Sequence, residues 1–431
     1  MSKPVLVFQG PVSSRSGYGD HAREIALAFI NCDRYDVKLI PTNWGATPLT
    51  GLVEKTGDNE KIKNALLTQN LQSQPDIFVQ LSIPSEFNPI GKYANIGITA
   101  GIETSMCAPE WLEGLNRMDW NIVPSKFAKL VFENTKFERR NKITNSPEGV
   151  VELQKPLHVL FEGIDINIFK KIDETQVNTS INDMLSNTSE DFLFLFVGHW
   201  LQGDFGEDRK DVGKMIYTFL NTFKNKDIQP GLIVKTSGAT FSIKDKERIL
   251  TKINAVKSMF PDTDKLPNIY LLHGDLTKEE MNSLYNHGKI KTMVSFTKGE
   301  GYGRPLLEFA VTGKPIIVSG HSGHMDFINP QFHSCISGQL TEIHPTAVVD
   351  KILIQGSQWF TINYDEASKV MLEHFLNYSK FKNNSVKFLN QVNQWSFDKM
   401  ASKLVDVLFA NEVKVPEKVE IVLPKLKRID A

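Results

Sequence analysis

Cysteine is scarce: Cys32, Cys107 and Cys335 are widely separated, and none has a Cys or His beside it at metal-ligand spacing. An odd, scattered set of 3 excludes a disulfide framework and a zinc ribbon, and reads as reduced thiols in apolar cores. Charge of one sign is lacking too. With 49 Lys and Arg against 50 Asp and Glu, the chain as a whole is steered toward neither nucleic acid, nor membrane, nor acidic substrate, so any such partner must use a local patch. No apolar run approaches the roughly 18 residues that a membrane span needs. The first residues pass at once into the strand-like Val5-Leu6-Val7-Phe8 with no small-residue cleavage site. The expectation is a soluble cytoplasmic protein. Nothing in the composition marks disorder, and 431 residues should hold two or three domains, each with its own core.

What is present is concentrated in Lys298-Gly299-Glu300-Gly301-Tyr302-Gly303-Arg304-Pro305-Leu306-Leu307-Glu308. The apolar run Thr292-Met293-Val294-Ser295-Phe296 reads as a buried strand, which the glycines break into a tight loop. Pro305 suits the first turn of a helix, and Gly313 followed by Pro315 is a stop signal, so the spacing predicts a helix over roughly 305–312. Its N-terminus carries unsatisfied N–H groups, and glycines let a ligand approach the backbone closely, which suits a phosphate. Glu300 and Glu308 beside an anion would repel it unless each faces hydrogen-bond donors such as sugar hydroxyls. The combination points to a nucleotide-sugar.

Glu300 and Glu308, with seven residues between them, around Gly301-Tyr302-Gly303 and followed by the strand Pro315-Ile316-Ile317-Val318, resemble the E-x7-E signature of retaining glycosyltransferases of the GT-B fold, family 4 (glycosyltransferase group 1). The resemblance spans most of the chain and is strongest from about 190 to 330. It implies an α/β fold of two Rossmann-like domains facing across a cleft: residues 1–170 on the acceptor side, 171–389 holding the donor, 390–412 packing back on the first domain, and a tail at 413–431.

Along the chain, Val5-Leu6-Val7-Phe8 leads into Gly17-Tyr18-Gly19-Asp20-His21-Ala22, which fits the dinucleotide pattern G-x-G-x-x-A. Several residues separate the strand from the first glycine, and the next strand ends without an acidic residue, so an NAD site is rejected. The resemblance makes Gly17 and Gly19 a glycine-rich loop over the donor phosphates, and an ordinary turn is the alternative. Many family members carry a His in the region of Gly101-Ile102-Glu103-Thr104. This chain has none between His21 and His158, and Glu103 is the candidate substitute, or else a structural carboxylate. Asp119 to Phe127 resembles the family's strand and Ser-capped helix, with Ser125 as the cap. Lys126, Lys129, Lys136, Arg139, Arg140 and Lys142 form a local basic cluster, read as a solvated face or, alternatively, an anionic acceptor surface. In Leu160-Phe161-Glu162-Gly163-Ile164-Asp165, Glu162 stands where the family usually has Asn.

Residues from about 171 to 190 read as a linker with a small helix. Phe192 to Gly198 then restarts the strand-loop-helix pattern, and the resemblance makes Arg209 and Lys210, in the following loop, the cations that hold the diphosphate. Lys235, at the end of a strand, is a second phosphate candidate, and residues 273–276 are expected near the base. Gly301, Tyr302, Gly303, Arg304 and Glu308 complete the donor set. Among the catalytic candidates Glu300, Arg209, Lys210 and Glu103, no base or nucleophile is named. His321, His324 and Asp326 invite a zinc hypothesis that the family pattern opposes, since GT-B enzymes generally need no metal. No cofactor is expected beyond a UDP- or GDP-sugar co-substrate. From about 343 to 410 the pattern reads as helical, and the tail after Glu412 carries Lys414, Lys418, Lys425, Lys427 and Arg428 with no assignable chemistry. The Gly-Ile-Glu-Thr stretch and the loop at 198–204 also resemble glycosyltransferases of large tailed bacteriophages, which would place the protein in host cytoplasm. The acceptor stays open: a glycan or a modified DNA base, with polysaccharide, lipid and protein acceptors not excluded by the sequence. The alternative is a GT-B protein that binds carbohydrate or nucleotide without turnover.

Overall fold

The computed structural model describes residues 3–141, 143–238 and 240–411. Lys142 of the basic cluster and the tail cations Lys414, Lys418, Lys425, Lys427 and Arg428 lie outside the described residues. The first unit runs β1 (Val5–Gly10), α1 (Gly17–Asn31), β2 (Asp36–Pro41), α2 (Gly57–Ala65), β3 (Ile77–Leu81), β4 (Ala94–Ile98), α3 (Pro109–Arg117), β5 (Trp120–Val123), α4 (Lys126–Asn134), the hairpin β6 (Phe137–Arg140) and β7 (Pro147–Val151), and β8 (Leu157–Val159). Its sheet has the order β2-β1-β3-β4-β5-β8, with every pair parallel. Central strands are apolar on both faces because helices cover both, whereas β2, at the edge, alternates buried and open residues.

The second unit opens with α5 (Thr179–Ser186), followed by β9 (Leu193–Val197), α6 (Val212–Phe223), β10 (Gly231–Lys235), α7 (Ile243–Lys257), β11 (Ile269–Leu272), α8 (Lys278–Asn286), β12 (Ile290–Ser295), α9 (Arg304–Ala310), β13 (Ile316–Ser319) and β14 (Ser334–Ile336). Its parallel sheet has the order β11-β10-β9-β12-β13-β14. Strand order reverses between β9 and β12. In open α/β sheets that switch point, at the carboxyl ends of the strands, is where a crevice for ligand forms. The first sheet has its own switch between β1 and β3. The polar stretch read as a linker contains α5, whose Ile181 and Leu185 are buried, and Lys289 Nζ ties it to the second unit through the Thr188 carbonyl at 2.7 Å.

The helical reading of 343–363 is corrected. Residues Gly338–Glu342 form β15, which pairs antiparallel with β16 (Gln358–Ile362), and apart from one 3-10 turn at Pro345–Ala347 the helices begin at α10 (Tyr364–Leu376), followed by α11 (Tyr378–Ser385) and α12 (Phe397–Ala410). Trp359-Phe360-Thr361-Ile362 is a run of aromatic and β-branched residues that fits a half-buried strand. Trp359 anchors it in a small core with Ile343 and Ala347. The chain then returns to the first unit: the Ile164 amide donates to the Trp395 carbonyl at 3.0 Å, the Phe397 amide donates to the Ile164 carbonyl at 2.8 Å, and α12 packs on α1. Among the described residues no helix is long and apolar enough to cross a membrane.

Candidate active site

The loops that leave β9 and β12 meet at the switch point of the second sheet. The loop after β9 carries Arg209 and Lys210, and the loop after β12 carries Glu300. The two are locked by backbone, the Lys298 amide donating to the Arg209 carbonyl at 2.8 Å, and by Arg209 Nη1 donating to the Gly299 carbonyl at 3.1 Å. Lys210 Nζ makes a short ion pair with Glu300. Arg209 Nη1 lies 3.5 Å from the other Glu300 oxygen and 3.6 Å from Glu103 on the first unit. Burial pushes the Glu300 carboxyl up, but Lys210 and Arg209 outweigh it and hold the group at about 2. Glu300 is thus ionised, and all four catalytic candidates fall in one cluster.

The loop is pressed against the first unit. A Cβ at Gly299 would stand 1.8 Å from the Glu103 carbonyl oxygen, and one at Gly301 would stand 2.0 Å from that of Ala100, so only glycine permits this approach. Ser125 caps α4 as expected, accepting from the Ala128 amide at 3.1 Å, and its hydroxyl also donates to the Gly301 carbonyl at 2.6 Å. The misread hairpin braces the loop from the other side, the Phe360 amide donating to the Lys298 carbonyl at 2.9 Å. Tyr302 is buried on Phe327 with ring centroids 5.1 Å apart. Gly303 takes φ 96° to turn the chain into α9.

Beside this cluster a cavity of about 390 Å³ opens between the units, lined by Arg15, Gly17, His199, Lys235, Asp275 and Glu308 among others. Three donor candidates, Gly17, Lys235 and Glu308, therefore share one wall system. Gly19, Gly301, Tyr302, Gly303 and Arg304 do not line it. Gly17 and Gly19 both lie in the first turn of α1 rather than in a loop before it, and Gly19 packs on the Ser14 carbonyl. His199 links cavity and cluster: burial lowers its pKa first, and the nearby Lys210 and Arg209 lower it further, so its imidazole is neutral. Lys235 Nζ donates to the Gly274 carbonyl at 2.7 Å, which ties the phosphate candidate to the loop expected near the base.

Sequence reasoning missed the charges that join the units. Arg15 reaches Asp275 at 2.9 Å, the Leu276 carbonyl at 3.1 Å and Glu54 at 3.0 Å. Lys278 pairs with Asp20 at 3.2 Å. Arg304 makes two hydrogen bonds to Glu24, one of 2.7 Å, and holds Glu308 at 3.0 Å. For the last, the sequence marks one half alone: Glu24 directly precedes the apolar run Ile25-Ala26-Leu27-Ala28-Phe29, and a charge buried on a helix needs a partner, but nothing local names Arg304 as that partner.

Burial pushes Glu308 up to about 7, while Arg304 pulls it down and Asp20 pushes it up. A proton bound in the folded chain is lost from the unfolded one above the ordinary value of 4.5. Unfolding therefore releases a proton in this window, and rising pH from about 4.5 to 7 erodes stability, by roughly 3 kcal/mol for this group. Urea unfolding of Glu308→Gln should show a smaller loss between pH 5 and pH 7.5 than the parent. Equal losses would mean that Glu308 is ionised throughout.

The fold is GT-B, α/β with two Rossmann-like sheets facing across a cleft. No family model and no curated protein matches the sequence. Among solved structures it is similar to HepE of Anabaena in complex with UDP and glucose, with a TM-score of 0.59 and 12% identity over 94% of this chain and 100% of that one. It is similar likewise to sucrose-phosphate synthase of Thermosynechococcus elongatus, with a TM-score of 0.59 and 12% identity over 95% and 100%. A glycosyltransferase of Rickettsia africae gives 0.59 and 12% over 94% and 98%. Among the described residues no group of three or more His, Cys, Asp or Glu side chains is placed to hold a metal ion. His321 instead stacks on Phe360, and His324 Nε2 lies 2.7 Å from the Ser319 carbonyl oxygen.

Proposed function

We propose that this chain is a glycosyltransferase of the family-4 type, moving a sugar from a UDP- or GDP-sugar to an acceptor with retention of anomeric configuration. The observation that carries the reading is the convergence of Arg209, Lys210 and Glu300 at the switch point, beside a cavity lined by Lys235 and Glu308. Two half-buried cations suit the charge that develops on a departing diphosphate, and electrostatic stabilisation prepared in advance is usually the largest source of rate in such sites. Glu300 and Glu103 lie against these cations, and a diphosphate would share that pairing. Glu300, ionised and acceptor-only, orients sugar hydroxyls. Glu308, held by Arg304 at the cavity wall, accepts from the ribose hydroxyls.

The acceptor side favours a glycan. Four of the five described members of the basic cluster are paired: Lys129 with Glu133 at 3.6 Å, Lys136 with Glu152 at 2.6 Å, Arg139 with Glu113 at 2.5 Å and Arg140 with Glu138 at 2.8 Å. Little positive field is left for a DNA backbone. A hydroxylated DNA base in host cytoplasm is the alternative that the likeness to bacteriophage enzymes supplies.

Calorimetry with nucleoside diphosphates and nucleotide-sugars tests the assignment. Glu308→Gln should weaken both ligands alike. Glu300→Ala should leave the bare diphosphate nearly untouched, lower turnover and blur discrimination against deoxy-sugar donors, since a site built to bond a hydroxyl penalises its absence. Absence of binding for every UDP- and GDP-sugar would sink the reading. Binding without hydrolysis or transfer would make the chain a binding protein on the same fold.

A further inference from the structure

Six non-glycine residues among those described have positive φ. Five of them, Asp33, Asn145, Asp211, Asn225 and Lys351, lie between 52° and 58°, and four of these are Asp or Asn, which tolerate the left-handed region. Ser322 differs: its φ of 80° and ψ of −164° fall in a region that only glycine enters freely. Gly323 follows immediately, so a glycine at 322 would remove the strain at no cost in chain length. Something about the serine side chain holds it there.

Its hydroxyl oxygen accepts from the Glu300 amide at 2.9 Å, and the next amide, Gly323, donates to the Glu300 carbonyl at 2.9 Å. The peptide groups on both sides of the Glu300 side chain are therefore gripped by residues 322 and 323. His324 orients the grip. Its Nε2 lies 2.7 Å from the Ser319 carbonyl, which fixes the proton on Nε2 and leaves Nδ1 as an acceptor, 3.5 Å from the Ser322 hydroxyl. The hydroxyl proton turns toward Nδ1 and its lone pair toward Glu300. Ser322 is 6% and His324 0% exposed, so the contact is shielded from bulk water.

We propose that Ser322 is a positioning residue: it accepts strained backbone so that its hydroxyl, set by His324, fixes the main chain of Glu300 and aims that carboxylate at Lys210 and the transferred sugar. The proposal rests on the reading of Glu300 as the sugar-facing carboxylate. A structural hydroxyl would lower stability and activity together when removed. A positioning hydroxyl on a strained backbone separates them. Ser322→Gly frees the backbone and deletes only the grip.

Ser322→Gly in the full chain should therefore melt close to the parent temperature, relief of strain offsetting the lost hydrogen bond, yet lose about tenfold in kcat for a hydrolysed UDP- or GDP-sugar. Its KM should stay within about threefold, and its preference for the parent sugar over a deoxy-sugar should shrink. Ser322→Ala, which keeps the strain, should lose the same activity and also melt lower. A Ser322→Gly protein with parent kcat and parent discrimination would overturn the proposal, as would a fall in melting temperature that tracks the fall in kcat. If the parent turns over no nucleotide-sugar, the functional reading fails by itself. The grip is then read by hydrogen exchange, where the Glu300 amide should exchange at least about tenfold faster in Ser322→Gly while the β12 amides keep their protection. Unchanged exchange would overturn it.

Discussion

Alanine at both Arg209 and Lys210 is expected to cut donor turnover by at least about a hundredfold, since each charge-assisted hydrogen bond to a diphosphate is worth roughly 1.5–3 kcal/mol and each 1.4 kcal/mol is about tenfold. Stability is at stake as well. The Lys210 and Glu300 side chains are only 12% and 9% exposed, and stripping one partner from a buried pair leaves the other uncompensated, at a cost of about 3–5 kcal/mol. The two effects come apart in a neutralised pair. Lys210→Met with Glu300→Gln should recover most of the lost melting temperature, because no lone charge remains, and should recover none of the turnover. Initial rates of donor hydrolysis beside melting curves for the three proteins give the answer. A folded double-alanine protein with parent activity would reduce both cations to structural partners of Glu300 and Glu103.

The largest loss of stability is expected from Arg304→Met. Its guanidinium is 7% exposed and faces Glu24, which is 8% exposed, and Glu308, which is 12% exposed. Without it two buried carboxyl groups lose their cation at once. The melting temperature at pH 7 should fall by more than for any other single substitution named here. The defect should shrink at pH 5, where the stranded carboxyls can take up protons, and Glu24→Gln in the same chain should restore part of it. A variant within about 1 kcal/mol of the parent at pH 7, on the scale of a surface pair, would mean that the carboxyls find other partners.

Much of this arrangement is legible in the residues. Parallel strands buried on both faces announce themselves as unbroken apolar runs, and glycine with proline marks the ends of α9: the spacing predicts 305–312, and the helix is Arg304–Ala310. The capping box at Thr277 and Glu280 is likewise plain in Thr277-Lys278-Glu279-Glu280. Residues 343–363 mislead because Trp359-Phe360-Thr361-Ile362 is short and stands directly before a long helical pattern, so a short strand is absorbed into its neighbour's period. The ionic joints are illegible for a different reason. Arg15 and Asp275 are 260 positions apart and Arg304 and Glu24 are 280 apart, and no local spacing links residues that only the facing of two sheets brings together. The strain at Ser322 is hidden as well, since a serine before a glycine reads as an ordinary turn.

The return of the chain at Ile164 and Trp395 gives the second unit the standing of an insertion rather than an appendage. The parallel bridge between Ile164 and Ser396 sets the outgoing and incoming segments side by side, so the unit hangs from two adjacent tethers. Two tethers that run together hold the second unit by backbone at one place, and the pairs Arg15–Asp275, Lys278–Asp20 and Arg304–Glu24 are cross-ties that the backbone does not supply.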